Sequence, residues 1–238
     1  MPPSGQLALP LFRGPRLAAN DFRAAPSNAE AWAWLGRTAD WPGGRLALWG
    51  EAGRGKTHLL HIWTERAGAA LLSAAGLAGL PELPPAGIAI DDADAAEDEA
   101  ALLHLLNAAA EARQPVLLAA RTPPARWAVG LPDLASRLRA ITAVEIGPPE
   151  DPLLRALLAR LLADRQLRVP QPVQEWLVRR LPRSAAALRD AVERLDAGSL
   201  EHHRSITVPF AATALAGILA PDEISGSSSL PSQNGEAL

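Results

Sequence analysis

Apolar positions recur along this chain with two different periods, and the change from one to the other divides it. Between Arg45 and Ile146 short apolar runs alternate with helical stripes, whereas beyond Gly147 only helical stripes remain. Ala29, Trp32 and Leu35 share one face at three- and four-residue spacing, which predicts a helix to about Thr38 with Asn28 as its cap. Trp41-Pro-Gly-Gly is a turn. Arg45 to Trp49 predicts a short buried strand leading straight into Gly50, and a helix follows from Lys56 to about Ala67. Gly87-Ile-Ala-Ile-Asp-Asp predicts a second strand that ends in acid. Val116 to Ala120 predicts a third, with a helix from about Asp98 to Arg113 between them, and Ile141 to Ile146 a further short strand. Apolar strands that alternate with helices predict an α/β fold, a parallel sheet covered on both faces.

After Gly147-Pro-Pro, Asp151 followed by Pro152 predicts an N-cap and first turn. Leu153, Leu154, Leu157, Leu158, Leu161 and Leu162 continue as an apolar stripe at helical period. Further helices are expected at about Pro172 to Leu181, at Ser184 to Leu195 and after Val208. The chain thus divides into an extended arm (1–19), a sheet domain (20–147), a small all-helical lid (148–220) and a tail (221–238) too poor in apolar residues to order itself.

Composition narrows the function classes. A chain of 238 residues accommodates one α/β core and a small helical appendage. It holds no cysteine, which excludes disulfides and thiolate metal sites and points to a reducing cytoplasm. The apolar run Ala67 to Leu80 stops at Pro81, short of the roughly 20 residues a membrane span needs. A net charge of −3 supplies no global attraction to nucleic acid, so any DNA contact is expected to be local or indirect. Arginine fills every basic position but one, and the exception is Lys56.

That lysine sits in Gly50-Glu51-Ala52-Gly53-Arg54-Gly55-Lys56-Thr57, which fits G-x-x-x-x-G-K-[ST] between a predicted strand and a predicted helix. Glycines let consecutive backbone N–H groups turn toward phosphate oxygens, and the helix that follows adds the positive end of its dipole. Lys56 supplies a compact charge for the β- and γ-phosphates, and the Thr57 hydroxyl can ligate Mg²⁺. Asp91 and Asp92 end the second strand, where such a site needs a carboxylate to hold the metal and an acid to orient water. The alternative is a plain acidic strand exit, given Asp94, Glu97, Asp98 and Glu99 nearby.

Taken together, these segments resemble the DnaA-type AAA+ replication initiators, and within them the short Hda-type regulatory inactivators. The resemblance runs from about Gln6 to Leu219. It is carried by the loop continuing into His58-Leu-Leu-His, by Ile90-Asp-Asp, Leu105-Leu-Asn107, Thr122-Pro-Pro, Asp133-Leu-Ala-Ser-Arg-Leu and Gly147-Pro-Pro-Glu. It implies ADP or ATP with Mg²⁺ as cofactors, and contacts to the nucleotide from His58 and from a leading segment containing Phe22, Pro26 and Asn28. It also implies that Arg137, in the Ser136-Arg137-Leu138 box, is a finger that reaches a neighbouring subunit's nucleotide, with Arg139 as the alternative.

Gln6-Leu7-Ala8-Leu9-Pro10-Leu11 resembles the segment by which Hda-type proteins bind the DNA polymerase III sliding clamp. The implied partners are therefore DnaA and the clamp, with DNA reached only through the clamp and self-association possible. Full initiators continue into a DNA-reading helix-turn-helix module, whereas this sequence passes into its tail. Two positions depart from the family: Ala186 stands where a lid arginine senses nucleotide, with Arg183 or Arg189 as substitutes, and Ala120-Arg121 replaces a polar sensor after the third strand. Both weaken the expectation of self-hydrolysis. Two rival functions are an ATP-hydrolysing helicase or transposase loader and a degraded DnaA paralogue that only binds nucleotide.

Overall fold

The computed structural model describes residues 22–77, 83–202 and 205–219. Five strands, β1 (Arg45–Trp49), β2 (Ala70–Ser73), β3 (Ile88–Asp91), β4 (Val116–Ala120) and β5 (Thr142–Glu145), form one parallel sheet in the order β2-β3-β4-β1-β5. Consecutive strands are joined by crossovers, so helices cover both faces. Leu46 and Leu48 of β1 face α1 (Ala29–Leu35) and α2 (Lys56–Ala67), while Ala47 faces α3 (Glu99–Glu111) and α4 (Pro132–Arg139). Burial on both sides is why the inner strands β1, β3 and β4 read as apolar runs without alternation.

Four of these strands were legible in the sequence and one was not. β2 lies within the Ala67–Leu80 run; its four residues hold no β-branched side chain and lie at the sheet edge, three half-buried and Ser73 exposed, so nothing local marks them as a strand. No helix was expected between β4 and β5, yet α4 starts on Pro132 and buries Leu134 and Leu138, one turn apart, against the α3 face.

Two caps differ from expectation. Asn28 precedes α1, but its side chain makes no cap; Oδ1 accepts the Ala25 N–H at 2.9 Å and Nδ2 donates to the Arg23 carbonyl at 3.0 Å, closing the turn before the helix. Helix α1 then ends at Leu35 rather than near Thr38, and a single turn, Thr38–Asp40, follows. At the second helix in question Asp151 is the first helical residue, Glu150 holds the cap position, and the Asp151 carboxylate is engaged elsewhere.

The lid consists of α5 (Asp151–Asp164), α6 (Gln171–Arg180), α7 (Ala185–His202) and α8 (Val208–Ala214). Its apolar residues, from Leu154 to Leu215, form a core of their own, separate from the two cores that sandwich the sheet. Helix α7 runs a further two turns past the expected end at Leu195.

Candidate nucleotide-binding site

Strand β1 lies between β4 and β5, the point at which the chain changes direction across the sheet, and the loop after it opens at the C-terminal edge of the strands. Gly50 accepts the curl with φ 150° and a virtual Cβ only 2.6 Å from the Ile146 carbonyl oxygen, so no side chain fits there. Gly53 and Gly55 take φ of 79° and 96°, values that favour glycine. Among the described residues, the N–H groups of Glu51 to Gly55 have no backbone acceptor. These donors lie immediately before the α2 N-terminus, and unpaired N–H groups there are the kind of donor an anionic phosphate needs.

Lys56 is the first residue of α2 and is only 7% exposed. Its Nζ donates to the Gly50 carbonyl at 2.7 Å and to the Glu51 carbonyl at 3.0 Å, which folds the loop over the ammonium. Burial holds its pKa below the ordinary value; the charges of Asp91, Asp92 and Asp94 pull it upward, and the Arg121 guanidinium adds to the lowering. Beside it, Thr57 Oγ1 donates to Asp91 Oδ2 at 2.7 Å, which places two hard oxygen ligands side by side at the strand end. Such a hydroxyl–carboxylate pair suits Mg²⁺, which is bound by few protein oxygens and completes its shell with phosphates and water. Asp91 Oδ1 also accepts the Asp92 N–H at 3.1 Å. Asp92 stands in the left-handed region at φ 49°, exposed, and its carboxylate makes no hydrogen bond or ion pair among the described residues.

The rest of the loop is tied differently. Arg54 pairs with Glu51 at 2.6 Å across the loop, with Ala52 exposed between them, and Arg54 Nη1 is buried without a partner. The half-buried His58 lies edge-on to Phe22, which itself stacks on Trp32 at 4.7 Å. The leading segment therefore lies against α2 through Phe22, while Pro26 is exposed and Asn28 spends its amide on the turn.

Helix α7 closes the other side. The Ala185 N–H donates to the Gly53 carbonyl at 3.3 Å, and a Cβ on Gly53 would stand 2.6 Å from Ser184 Cβ and 3.7 Å from Ala186 Cβ. No sequence signal announced this contact, since it joins a loop glycine to a helix start 132 residues later. Asp94 was also underread as mere strand-exit acid: its Oδ2 accepts the Arg121 N–H at 2.9 Å, pinning the end of β4 beside Lys56.

Residues 151–215 match the family model described as "Hda, lid domain". Domain III of the replication initiation protein DnaA from Thermotoga maritima superposes with a TM-score of 0.75 at 17% identity, covering 87% of this chain and 99% of that one. Residues 151–215 are thus similar to the Hda lid, and the chain shares the fold of DnaA domain III. DnaA from Aquifex aeolicus, solved with AMPPCP, has a TM-score of 0.64 at 16% identity over 80% of this chain and 68% of that one. The Holliday junction branch migration motor RuvB of Thermotoga maritima shares the fold more distantly, at TM-score 0.57, 18% identity and 72% and 61% coverage.

The structure separates Arg137 from the loop. Helix α4 leads into the N-terminal edge of β5, level with Arg45 at the start of β1, a strand length or about 13 Å from the loop end. Arg45 feels it directly: burial lowers the Arg45 pKa first, and the Arg137 charge lowers it further. Arg137 is half-exposed and without a hydrogen bond or ion pair among the described residues; Arg139 is exposed. Gln6 to Leu11 lie outside the described residues.

Proposed function

We propose that this chain is a nucleotide-holding regulator of the DnaA/Hda type that stimulates ATP hydrolysis by DnaA and so represses replication initiation. The observation that carries this reading is the pairing of a segment similar to the Hda lid with a glycine-rich loop that encloses Lys56 through the Gly50 and Glu51 carbonyls, beside the Thr57–Asp91 hydrogen bond. ADP or ATP is held there by the loop amides and Lys56, with Phe22 and His58 as the apolar wall. Thr57 and Asp91 hold the Mg²⁺ that screens phosphate charge. The neighbouring DnaA structures hold a nucleotide analogue, which supports the same ligand class here.

Arg137 stands too far from its own loop to act there, and this favours an action on another subunit. The Gln6–Leu11 segment, read from its pattern alone, tethers the protein to the sliding clamp, so DNA is reached only through the clamp. Tethering raises effective concentration, and a weak contact with DnaA then suffices.

The deciding experiment measures DnaA ATPase with clamp-loaded DNA. Arg137→Ala is expected to remove nearly all stimulation, because a trans arginine contributes about 10³–10⁵ in such reactions. Deleting Gln6–Leu11 is expected to remove the clamp-dependent part. Stimulation that survives both changes overturns the reading. The unencumbered Asp92 carboxylate favours a second reading, an ATP-hydrolysing helicase or transposase loader; sustained turnover by the isolated protein, abolished in Asp92→Asn, would identify it.

A further inference from the structure

Helix α4 carries Arg137, yet its own sequence leaves its first turn uncapped. Leu131 holds the N-cap position with no side-chain bond, and Pro132, the first helical residue, has no N–H. The carboxylate at this end comes from another helix. Glu99 Oε1 accepts the Gly130 N–H at 2.8 Å, while Oε2 accepts the Gly130 N–H at 3.0 Å and the Leu131 N–H at 2.8 Å. Glu99 is the first residue of α3, but α3 does not need it, because Asp98 Oδ1 caps that helix through the Ala101 N–H at 2.8 Å. A charge at the start of one helix thus fixes the chain entering the next, at the positive end of its dipole.

The two helices are in step along their length. Glu99, Leu102 and Leu106 recur at three- and four-residue spacing on one face of α3, and Leu102 and Leu106 share a buried cluster with Leu134 and Leu138 of α4. At the far end the Leu106 carbonyl accepts Arg45 Nη2 at 2.8 Å, and the Arg45 charge opposes that of Arg137 in the last turn of α4. The connection leading into α4 spans a cavity of about 240 Å³ between Glu99, Thr122, Trp127 and Leu134. A segment with a void beneath it keeps its place through its ends. Here both ends are held by carboxylates, Asp94 on the Arg121 N–H at 2.9 Å and Glu99 on Gly130 and Leu131.

We infer that Glu99 is a positioning residue for Arg137: by capping α4 from α3 it sets the direction of the helix that presents Arg137 to a neighbouring subunit's nucleotide. This inference rests on the proposed action of Arg137 on DnaA and adds the residue that aims it. Arg137 makes no hydrogen bond or ion pair among the described residues that would orient it, so the direction of its helix decides where its guanidinium goes. With eight residues, α4 is too short to hold that direction once its first turn loosens.

Stimulation of DnaA ATPase on clamp-loaded DNA, measured over a range of concentrations of this protein, tests it, with Asp98→Ala as the matched control one residue away. Glu99→Ala is expected to lower the maximal stimulated rate about ten- to a hundredfold, the order of loss that a misplacement of about 1 Å brings, and to leave the concentration for half-maximal stimulation within about threefold. Each variant removes one helix-terminal carboxylate, and each is expected to lower the melting temperature by about 2–4 °C. Asp98→Ala is expected to keep wild-type stimulation, and Glu99→Gln, which retains an acceptor oxygen, to recover part of the rate. Hydrogen exchange at the Gly130 and Leu131 amides should quicken in Glu99→Ala and not in Asp98→Ala. Equal stimulation by Glu99→Ala and Asp98→Ala overturns the inference, as does unchanged exchange at both amides in Glu99→Ala. A wild type that gives no stimulation overturns the proposed function itself, a result distinct from either.

Discussion

Lys56 concentrates the conflict between stability and ligand binding in one side chain. Burial penalises its charge, and the loop carbonyls repay part of that penalty through the bonds to Gly50 and Glu51. A phosphate removes the remainder of the penalty. Lys56→Met is therefore expected to leave the ligand-free melting temperature within a few degrees of wild type while weakening ADP binding about 100-fold, as calorimetry would register. The pH dependence follows from the lowered pKa. At neutral pH folded and unfolded chains both hold the proton, so the penalty is constant. As pH climbs through the lowered value toward 10.5, the folded chain releases its proton before the unfolded one, and stability rises. Denaturant titrations across that alkaline window should show the wild type gaining on Lys56→Met; a constant gap between them would count against a desolvated ammonium. Thr57 and Asp91 divide the work differently, since neither is needed for the amide cradle. Thr57→Val should keep metal-free ADP binding and lose the gain that Mg²⁺ brings.

At the scale of elements, the loop and α7 act as one unit through Gly53. Its φ of 79° and the 2.6 Å approach to Ser184 leave no room for a methyl group, so Gly53→Ala must either strain the loop or push α7 away. Gly87 offers a matched control at the far edge of the sheet, with φ of 98° and a virtual Cβ 2.5 Å from the Pro115 carbonyl oxygen. Both substitutions should destabilise by about 1–3 kcal/mol, but only Gly53→Ala should weaken nucleotide binding at temperatures where the protein is folded. Equal binding losses in the two would mean that the lid contact is incidental. This pairing also marks the limit of what the sequence discloses. The glycine-rich loop between β1 and α2 was legible because its signal is local: glycines, lysine and threonine at fixed spacing between a strand and a helix. The strands buried on both faces, β1, β3 and β4, were legible because apolar runs bounded by turns have few other uses. β2 escaped because Ala70-Leu-Leu-Ser carries helix-forming residues and gains its strand character only by pairing with β3. Helix α4 escaped as a short element whose signal is Pro132 and the pair Leu134 and Leu138 alone. Gly53 against Ser184, and Ser27 against Glu150, are tertiary events with no local trace.

Across the whole molecule, separate cores make the lid a second body, and bodies with separate cores move unless something fixes them. What fixes this one is polar and gathered at one place. Gly147 N–H donates to the Ser27 carbonyl at 2.9 Å, Ser27 Oγ donates to Glu150 at 3.0 Å, and Arg183 clasps Asp151 and the Pro149 carbonyl. The leading segment, the hinge and the start of α7 thereby share one knot, and α7 carries the knot's orientation to Gly53. A nucleotide bound at the loop must then bias the lid through the same route, by which occupancy can be reported to a partner. Arg183 and Asp151 are each more than 40% exposed, so their pair contributes little to global stability, about 0–1 kcal/mol. Arg183→Ala should accordingly lower the melting temperature by no more than about 2–4 °C. Its effect should appear instead in hydrogen exchange, as faster exchange of backbone amides in the hinge and at the start of α7, with protection restored in part by saturating ADP. Exchange at those amides indistinguishable from wild type would place the lid's restraint elsewhere, in the Gly53–Ala185 bond and the packing around it, and would remove the hinge from any path between nucleotide and partner.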